Sequence, residues 1–142
     1  MDFKLELMLV PVTDVDRAKD FYVEKAGFHL DVDTSPAEGM RVVQLTPPGS
    51  ACSITIGTGL TSAPPGSCRG THLVVRDIVA ARDELASRGV EISDVRHFDR
   101  AKGDWQPGPD PEHADYASFA DFADPDGNTW VLQEVRKGEE EG

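Results

Sequence analysis

Pro11-Val12-Thr13-Asp14-Val15-Asp16-Arg17-Ala18-Lys19-Asp20-Phe21-Tyr22 decides how this chain is read, because its plan returns further along as Val75-Arg76-Asp77-Ile78 with Ala80-Ala81-Arg82-Asp83-Glu84-Leu85. The first copy follows an apolar strand running from Leu5 to Val12, and Thr13-Asp14-Val15-Asp16 places acidic residues at the positive end of a helix. Val15, Ala18, Tyr22 and Ala26 then share one helical face, and Gly27 ends it. The second copy has the strand Thr71-His72-Leu73-Val74-Val75, the cap Asp77, the face Ile78, Ala81 and Leu85, and the stop Gly89. Superposing Asp14 on Asp77 also pairs Val15 with Ile78, Ala18 with Ala81 and Tyr22 with Leu85, so the chain repeats a supersecondary unit.

Strand-like runs follow each helix: 28–33, 41–46 and 52–57 in the first half, then 90–95, 116–122 and 129–135 in the second. Each half therefore reads as βαβββ. Pro47-Pro48-Gly49 and Asp124-Pro125-Asp126-Gly127 are turns before the last strands, since proline presets φ and glycine accepts positive φ. Module one spans 5–60, a Gly/Ser/Thr/Pro-rich linker 61–70, module two 71–135, and an acidic, disordered tail 136–142, all within one domain. The stretch 99–115 is long, polar and unpatterned, which marks either a mobile loop or a functional one. A ferredoxin-like sandwich needs only four strands, against the eight counted here.

These motifs, with Phe122-Ala123-Asp124-Pro125-Asp126-Gly127-Asn128, resemble the glyoxalase/bleomycin-resistance (vicinal oxygen chelate) superfamily across nearly the whole chain. The resemblance implies an α+β fold of two βαβββ modules, whose curved mixed sheets surround a ligand cleft with the helices outside. It also implies, frequently, a homodimer, through pairing within or between chains.

Metal-using members take His, Glu or Gln ligands from the first and last strands of the modules. Transferred to this chain, those positions fall on Leu7, Gly70, Thr55 (or Ser53) and Val131, which are poor donors for a divalent cation. His72 and Gln133 lie two residues beyond the nominal positions and share the cleft-facing side of their strands, so they remain candidates for a displaced metal site. The alternative for His72 is a half-buried strand histidine bonded to a neighbour. No metal or other cofactor is favoured. The expected ligand-binding residues are Leu7, Leu9, Ser53, Thr55, His72, Trp105, Val131 and Gln133, a largely apolar and hydroxylic set that suits binding better than proton transfer.

Trp105 offers either an aromatic face to a planar or cationic ligand or an anchor for its own loop. Strand alternation puts Tyr116 and Phe119 on opposite faces, allowing one of them into the cleft. His29, His97 and His113 read as surface or rim residues, and the carboxylates as caps, turns and tail. Cys52 and Cys68 read as free thiols.

The net charge of −12 excludes nucleic acid and anionic membranes as partners and favours a cationic small molecule. No window is long enough to span a membrane and the start lacks a signal-peptide core, so the expected location is the cytoplasm. No G-x-S-x-G, phosphate loop or G-x-G-x-x-G is present. The expected function is metal-independent binding of a small aromatic or cationic molecule. A metal-dependent lyase, isomerase or dioxygenase is the alternative, and an accessory or regulatory subunit the third.

Overall fold

The computed structural model describes residues 1–137, so the acidic tail beyond Lys137 lies outside the described residues. The described residues form two compact units: Met1–Arg69 with Asp124–Asn128, and Gly70–Ala123 with 129–137. The linker therefore packs with the first unit, as does the Asp124–Asn128 turn.

The first unit contains β1 (Leu7–Leu9), α1 (Val15–Asp20), β2 (His29–Thr34), β3 (Arg41–Thr46) and β4 (Ser53–Thr58). The sheet order is β1-β4-β3-β2, with β1 parallel to β4 and the other pairs antiparallel. Asp14 caps α1 by accepting from the Arg17 amide. The helix then widens into a π-helical turn over Phe21–Lys25. Gly27, at φ 78°, supplies the left-handed exit that a side chain would resist. Val43, Leu45, Ile54 and Ile56 alternate onto one sheet face and are buried with Ala18 and Tyr22, forming the core of this unit. Tyr22 can be buried because its hydroxyl donates to Asp124 Oδ2 at 2.7 Å. Asp124 also accepts from the Asp126 and Asn128 amides and from Asn128 Nδ2, so its carboxylate is fully engaged despite burial.

The second unit repeats the plan and adds to it. It contains β5 (Thr71–Val75), α2 (Ile78–Ser87), β6 (Arg96–Asp99), β7 (Asp104–Pro107), β8 (Ser118–Ala123) and β9 (Thr129–Glu134), in the order β5-β9-β8-β6-β7. Again the first and last strands are parallel. Asp77 caps α2 at the Ala80 amide, and Gly89, at φ 94°, ends it. Trp130, Leu132, Ala120 and Phe122 are buried on the α2 side of the sheet, and Phe122 stacks on Trp130 at 6.3 Å.

The α+β architecture of two mixed sheets and two α-helices is therefore observed among the described residues. Several local expectations change. The strand expected over 90–95 is an irregular segment with one bridge, Ile92 to Phe122, because the inward aliphatic residues Val90 and Val95 mark burial and not pairing. The strand proper is β6. The stretch 99–115 is not unpatterned throughout, since β7 folds back on β6 with Phe98 opposite Trp105. That hairpin brings the total to nine strands among the described residues. Arg136, expected in the disordered tail, is bonded through its amide to Asp115 and through Nε to Arg76 O.

Candidate functional site

The face of the second sheet that points away from α2 carries His72 and Val74 of β5, Val131 and Gln133 of β9, and Phe119 and Asp121 of β8. Paired register puts them side by side: His72 with Val131, Val74 with Gln133, Phe119 with Gln133 and Asp121 with Val131. Arg96, opposite Phe119 on β6, continues this face and binds Asp121 Oδ1 at 2.6 Å. Its guanidinium lies 5.2 Å from the centre of the Trp105 ring. Trp105 makes edge contacts with Phe98 at 5.5 Å and Phe119 at 5.7 Å, near-perpendicular arrangements that match the quadrupoles of the rings. A guanidinium on one side and two rings around it hold the indole in place before any ligand arrives.

These aromatic residues wall a cavity of about 970 Å³ built entirely within the second unit. Its lining joins His97, Phe98, Asp99, Arg100 and Trp105 of the β6–β7 hairpin, Phe119 of β8, and Asp110, Pro111, Glu112, Ala114, Asp115, Tyr116 and Ala117 of the loop before β8. Trp105 is 47% exposed and Tyr116 49%, so large apolar surface is open to an occupant. Four carboxylates face one guanidinium among the lining residues, which gives the cavity an acidic rim. Parts of these carboxylates are committed to the backbone: Asp99 caps Ala101 and Lys102, Asp110 caps Ala114, and Asp115 caps Arg136 and Lys137.

Of the eight expected ligand-binding residues, Trp105 lines this cavity. Gln133 reaches its wall by donating to the Tyr116 carbonyl at 3.2 Å. His72 and Val131 stand on the same sheet face, two and one strands from β8. His72 Nδ1 is 2.7 Å from the Gly70 carbonyl, so it is bonded to a neighbour as its alternative expects, but the residue is exposed and not half-buried.

The other four lie together on the first unit's sheet, where Leu7 pairs with Ser53 and Leu9 with Thr55. Ser53 and Thr55 are buried beside the partly exposed leucines, and Ser53 Oγ is 2.7 Å from Thr46 Oγ1. Leu9 and Thr55 also border a smaller cavity of about 220 Å³.

Tyr116 and Phe119 both line the large cavity. Strand alternation does not apply to Tyr116, which precedes β8 in the left-handed region at φ 66°. His97 is buried, lines the large cavity and is 2.8 Å from the Gly108 carbonyl, so of the two expected places, surface or rim, it takes the rim. His113 is partly buried against Glu134 at 2.9 Å. Glu134 itself, wholly buried on β9, departs from the expected caps, turns and tail. The aromatic triad carried a readable signal, Phe98 and Trp105 flanking a Gly-containing turn, but without the hairpin register nothing joined them to Phe119.

The divalent metal used by some relatives finds no matching donor set here. Leu7, Gly70, Thr55 and Val131 offer neither imidazole nor carboxylate, and the described residues contain no group of three or more His, Cys, Asp or Glu side chains able to hold an ion.

Two mixed sheets, one in each unit and each accompanied by one α-helix, define the described chain as an α+β protein. Over residues 4–132 the chain matches the Glyoxalase/Bleomycin resistance protein/Dioxygenase superfamily, and it belongs to that superfamily. Among solved structures it is similar to TnmS3, an antibiotic binding protein from Streptomyces sp. CB03234, with 34% identity, a TM-score of 0.71, and coverage of 94% of this chain and 96% of that one. A glyoxalase/bleomycin resistance protein from the same Streptomyces strain shares 35% identity over 92% of this chain and 99% of that one, with a TM-score of 0.68. A superfamily member from Sphaerobacter thermophilus DSM 20745 is 28% identical over 94% and 98%, with a TM-score of 0.71. No curated protein matches the chain.

Proposed function

We propose that this protein binds a planar aromatic small molecule, preferably cationic, in the cavity of its second unit, and that it does so without a metal ion. The observation that carries the reading is the preset Trp105, held by Arg96, Phe98 and Phe119 yet 47% exposed at a cavity of about 970 Å³. A rigid aromatic wall lets a ligand bury apolar area without the protein first losing side-chain freedom. The acidic lining and the net charge of −12 favour a cation over an anion of the same shape. The likeness to TnmS3, an antibiotic binding protein, supports a sequestering role, in which binding itself is the activity. A homodimer is part of the proposal, supported by the outer positions of β1 and β5 in their sheets. So is a cytoplasmic location; no described helix is long and apolar enough to cross a membrane.

The test uses two three-ring probes of similar shape and opposite charge, 9-aminoacridine and 9-anthracenecarboxylate. Calorimetry should show 9-aminoacridine binding at least tenfold tighter at low salt, with the preference shrinking as salt rises. Of the two tryptophans, Trp130 is 1% exposed, so quenching of protein fluorescence reports Trp105. Trp105→Ala should weaken 9-aminoacridine binding by about 10- to 100-fold, or roughly 1.4–2.8 kcal/mol. Binding unchanged by Trp105→Ala, or no binding of either probe at millimolar concentration, would overturn the site. Stoichiometric divalent metal in purified protein would overturn the metal-free reading, and a monomer in light scattering would remove the dimer.

A further inference from the structure

We infer that His113 is a positioning residue for this cavity, anchored on the buried carboxylate of Glu134, and that the pair holds the 110–117 wall in its binding shape. Only the consequence for ligand affinity rests on the proposed function; the effect on the wall stands apart from it.

Glu134 ends β9 on the α2 side of the sheet, following Trp130 and Leu132 at two-residue spacing, and it is 0% exposed. A carboxylate removed from water must be supplied with donors. Oε2 accepts from the Ile78 amide at 3.0 Å, at the N-terminus of α2, and lies 3.5 Å from Arg136 Nη2. These contacts explain why an anion is tolerated there. They do not explain Oε1, which faces His113 Nδ1 at 2.9 Å. The helix already has its own cap in Asp77, so the second oxygen serves the loop. An ionised carboxylate only accepts, which assigns the proton to Nδ1. Arg136 Nη2, 3.1 Å from the same nitrogen, is then a close neighbour and not its partner.

The backbone shows what this bond holds. Among the described residues, His113 at φ 52° and Tyr116 at φ 66° are the non-glycine residues in the left-handed region, an uncommon and costly conformation for a bulky side chain. Tyr116 lines the cavity and His113 sits between the lining residues Glu112 and Ala114, and both are tied to Glu134. His113 is tied through the carboxylate. Tyr116 is tied through its amide, which donates to the Glu134 carbonyl at 2.8 Å. Without these ties the strained residues would relax toward ordinary φ, and the Tyr116 ring and the loop carboxylates would leave the cavity.

Three substitutions at one position separate the hydrogen bond from the strain. His113→Ala removes the bond and keeps the strain. His113→Gly removes both. His113→Asn tolerates positive φ and can still donate to Glu134. Asp77→Ala weakens α2 without touching the wall. Amide hydrogen exchange across 108–117 in the ligand-free protein, and calorimetric titration with 9-aminoacridine, are read on each. His113→Ala and His113→Gly should lose about tenfold or more in protection and in affinity, while His113→Asn stays within about threefold of the parent. Asp77→Ala should lower the Tm and move neither readout. Unchanged protection in His113→Ala and His113→Gly would overturn the inference, as would an equal loss in Asp77→Ala. A parent protein that binds no 9-aminoacridine would sink the proposed function while the exchange data still decide the role of His113.

Discussion

The two units share a plan and differ in what has been added to it. In each, an aspartate caps the helix, a glycine with positive φ ends it, and the first strand lies parallel to the last. A second carboxylate binds near each cap, at different places: Asp126 Oδ1 accepts from the amide of Thr13, one residue before the cap Asp14, and Glu134 Oε2 from the amide of Ile78, one residue after the cap Asp77. The first unit stops there, leaving an aliphatic and hydroxylic sheet face and a cavity of about 220 Å³. The second adds β7, paired to β6, and the 108–117 loop, which with β6 and Phe119 of β8 wall about 970 Å³ with aromatic rings and carboxylates. The repeated part carries the fold, and the added part carries the site. Insertion between strands is tolerated because loop closure costs little for each added residue.

The largest effect expected from that division belongs to the first unit's core. Asp124→Ala removes the acceptor of the Tyr22 hydroxyl and of three groups in its own turn. Stranding several buried donors should cost about 3 kcal/mol in urea denaturation. Tyr22→Phe deletes one donor and leaves Asp124 with its other three, so its cost should be nearer 1 kcal/mol. Leu85, the repeat partner of Tyr22, has no hydroxyl and makes no such bond. If Asp124→Ala costs no more than Tyr22→Phe, the turn is not the keystone of the first unit.

How much of this was legible in the sequence follows the same boundary. The repeat announced itself because caps, helix faces and glycine stops are local: Asp14 and Asp77 act on backbone amides three residues away, and Gly27 and Gly89 act on their own φ. The family motif placed Leu7, Leu9, Ser53 and Thr55 on one sheet face, and His72, Val131 and Gln133 on another, because alternation is a local rule too. The cavity depends on non-local geometry. Phe98 meets Trp105 only through hairpin register, and Phe119 joins them only through pairing across β6 and β8. Tyr116 enters the wall because a left-handed residue suspends the alternation that would have set its direction. Glu134 was hidden by the same rule that exposed its neighbours. It occupies an inward position otherwise given to Trp130 and Leu132, and only the loop and helix that converge on it make a carboxylate acceptable there.

A smaller effect checks whether the repeated parts are energetically equivalent. Asp14→Ala and Asp77→Ala each remove one side-chain acceptor from a helix start, at 3.1 Å from the Arg17 amide and 3.0 Å from the Ala80 amide. Each should cost about 1 kcal/mol. The two values should agree within about 0.5 kcal/mol, because each substitution removes the same kind of bond, to the amide three residues on. A gap well beyond that would mean that one unit leans on its cap and the other on its packing.

The smallest effect concerns a charge chain confined to the first unit. Arg41 binds both oxygens of Asp33, at 3.1 and 3.0 Å, and reaches Asp16 at 2.8 Å, while Lys19 lies 2.7 Å from Asp33. The hydrogen bonds from Arg41 and then Lys19 hold the Asp33 carboxyl well below the usual carboxylate range, and the Asp33 bond raises the Arg41 guanidinium above its own. A carboxyl depressed in the folded state stabilises fully above its unfolded pKa of about 3.9 and loses that contribution as the pH falls toward its folded value. Asp33→Asn should therefore lower the Tm slightly at pH 6, and the gap from the parent should close as the pH falls below about 4. Because these side chains are partly exposed to solvent, salt should shrink the gap as well. A gap that widened in acid would mean that Asp33 is held by something other than its cations. A gap that ignored salt would mean that the bidentate geometry at Arg41, and not charge, is what joins β2 to β3 at this edge.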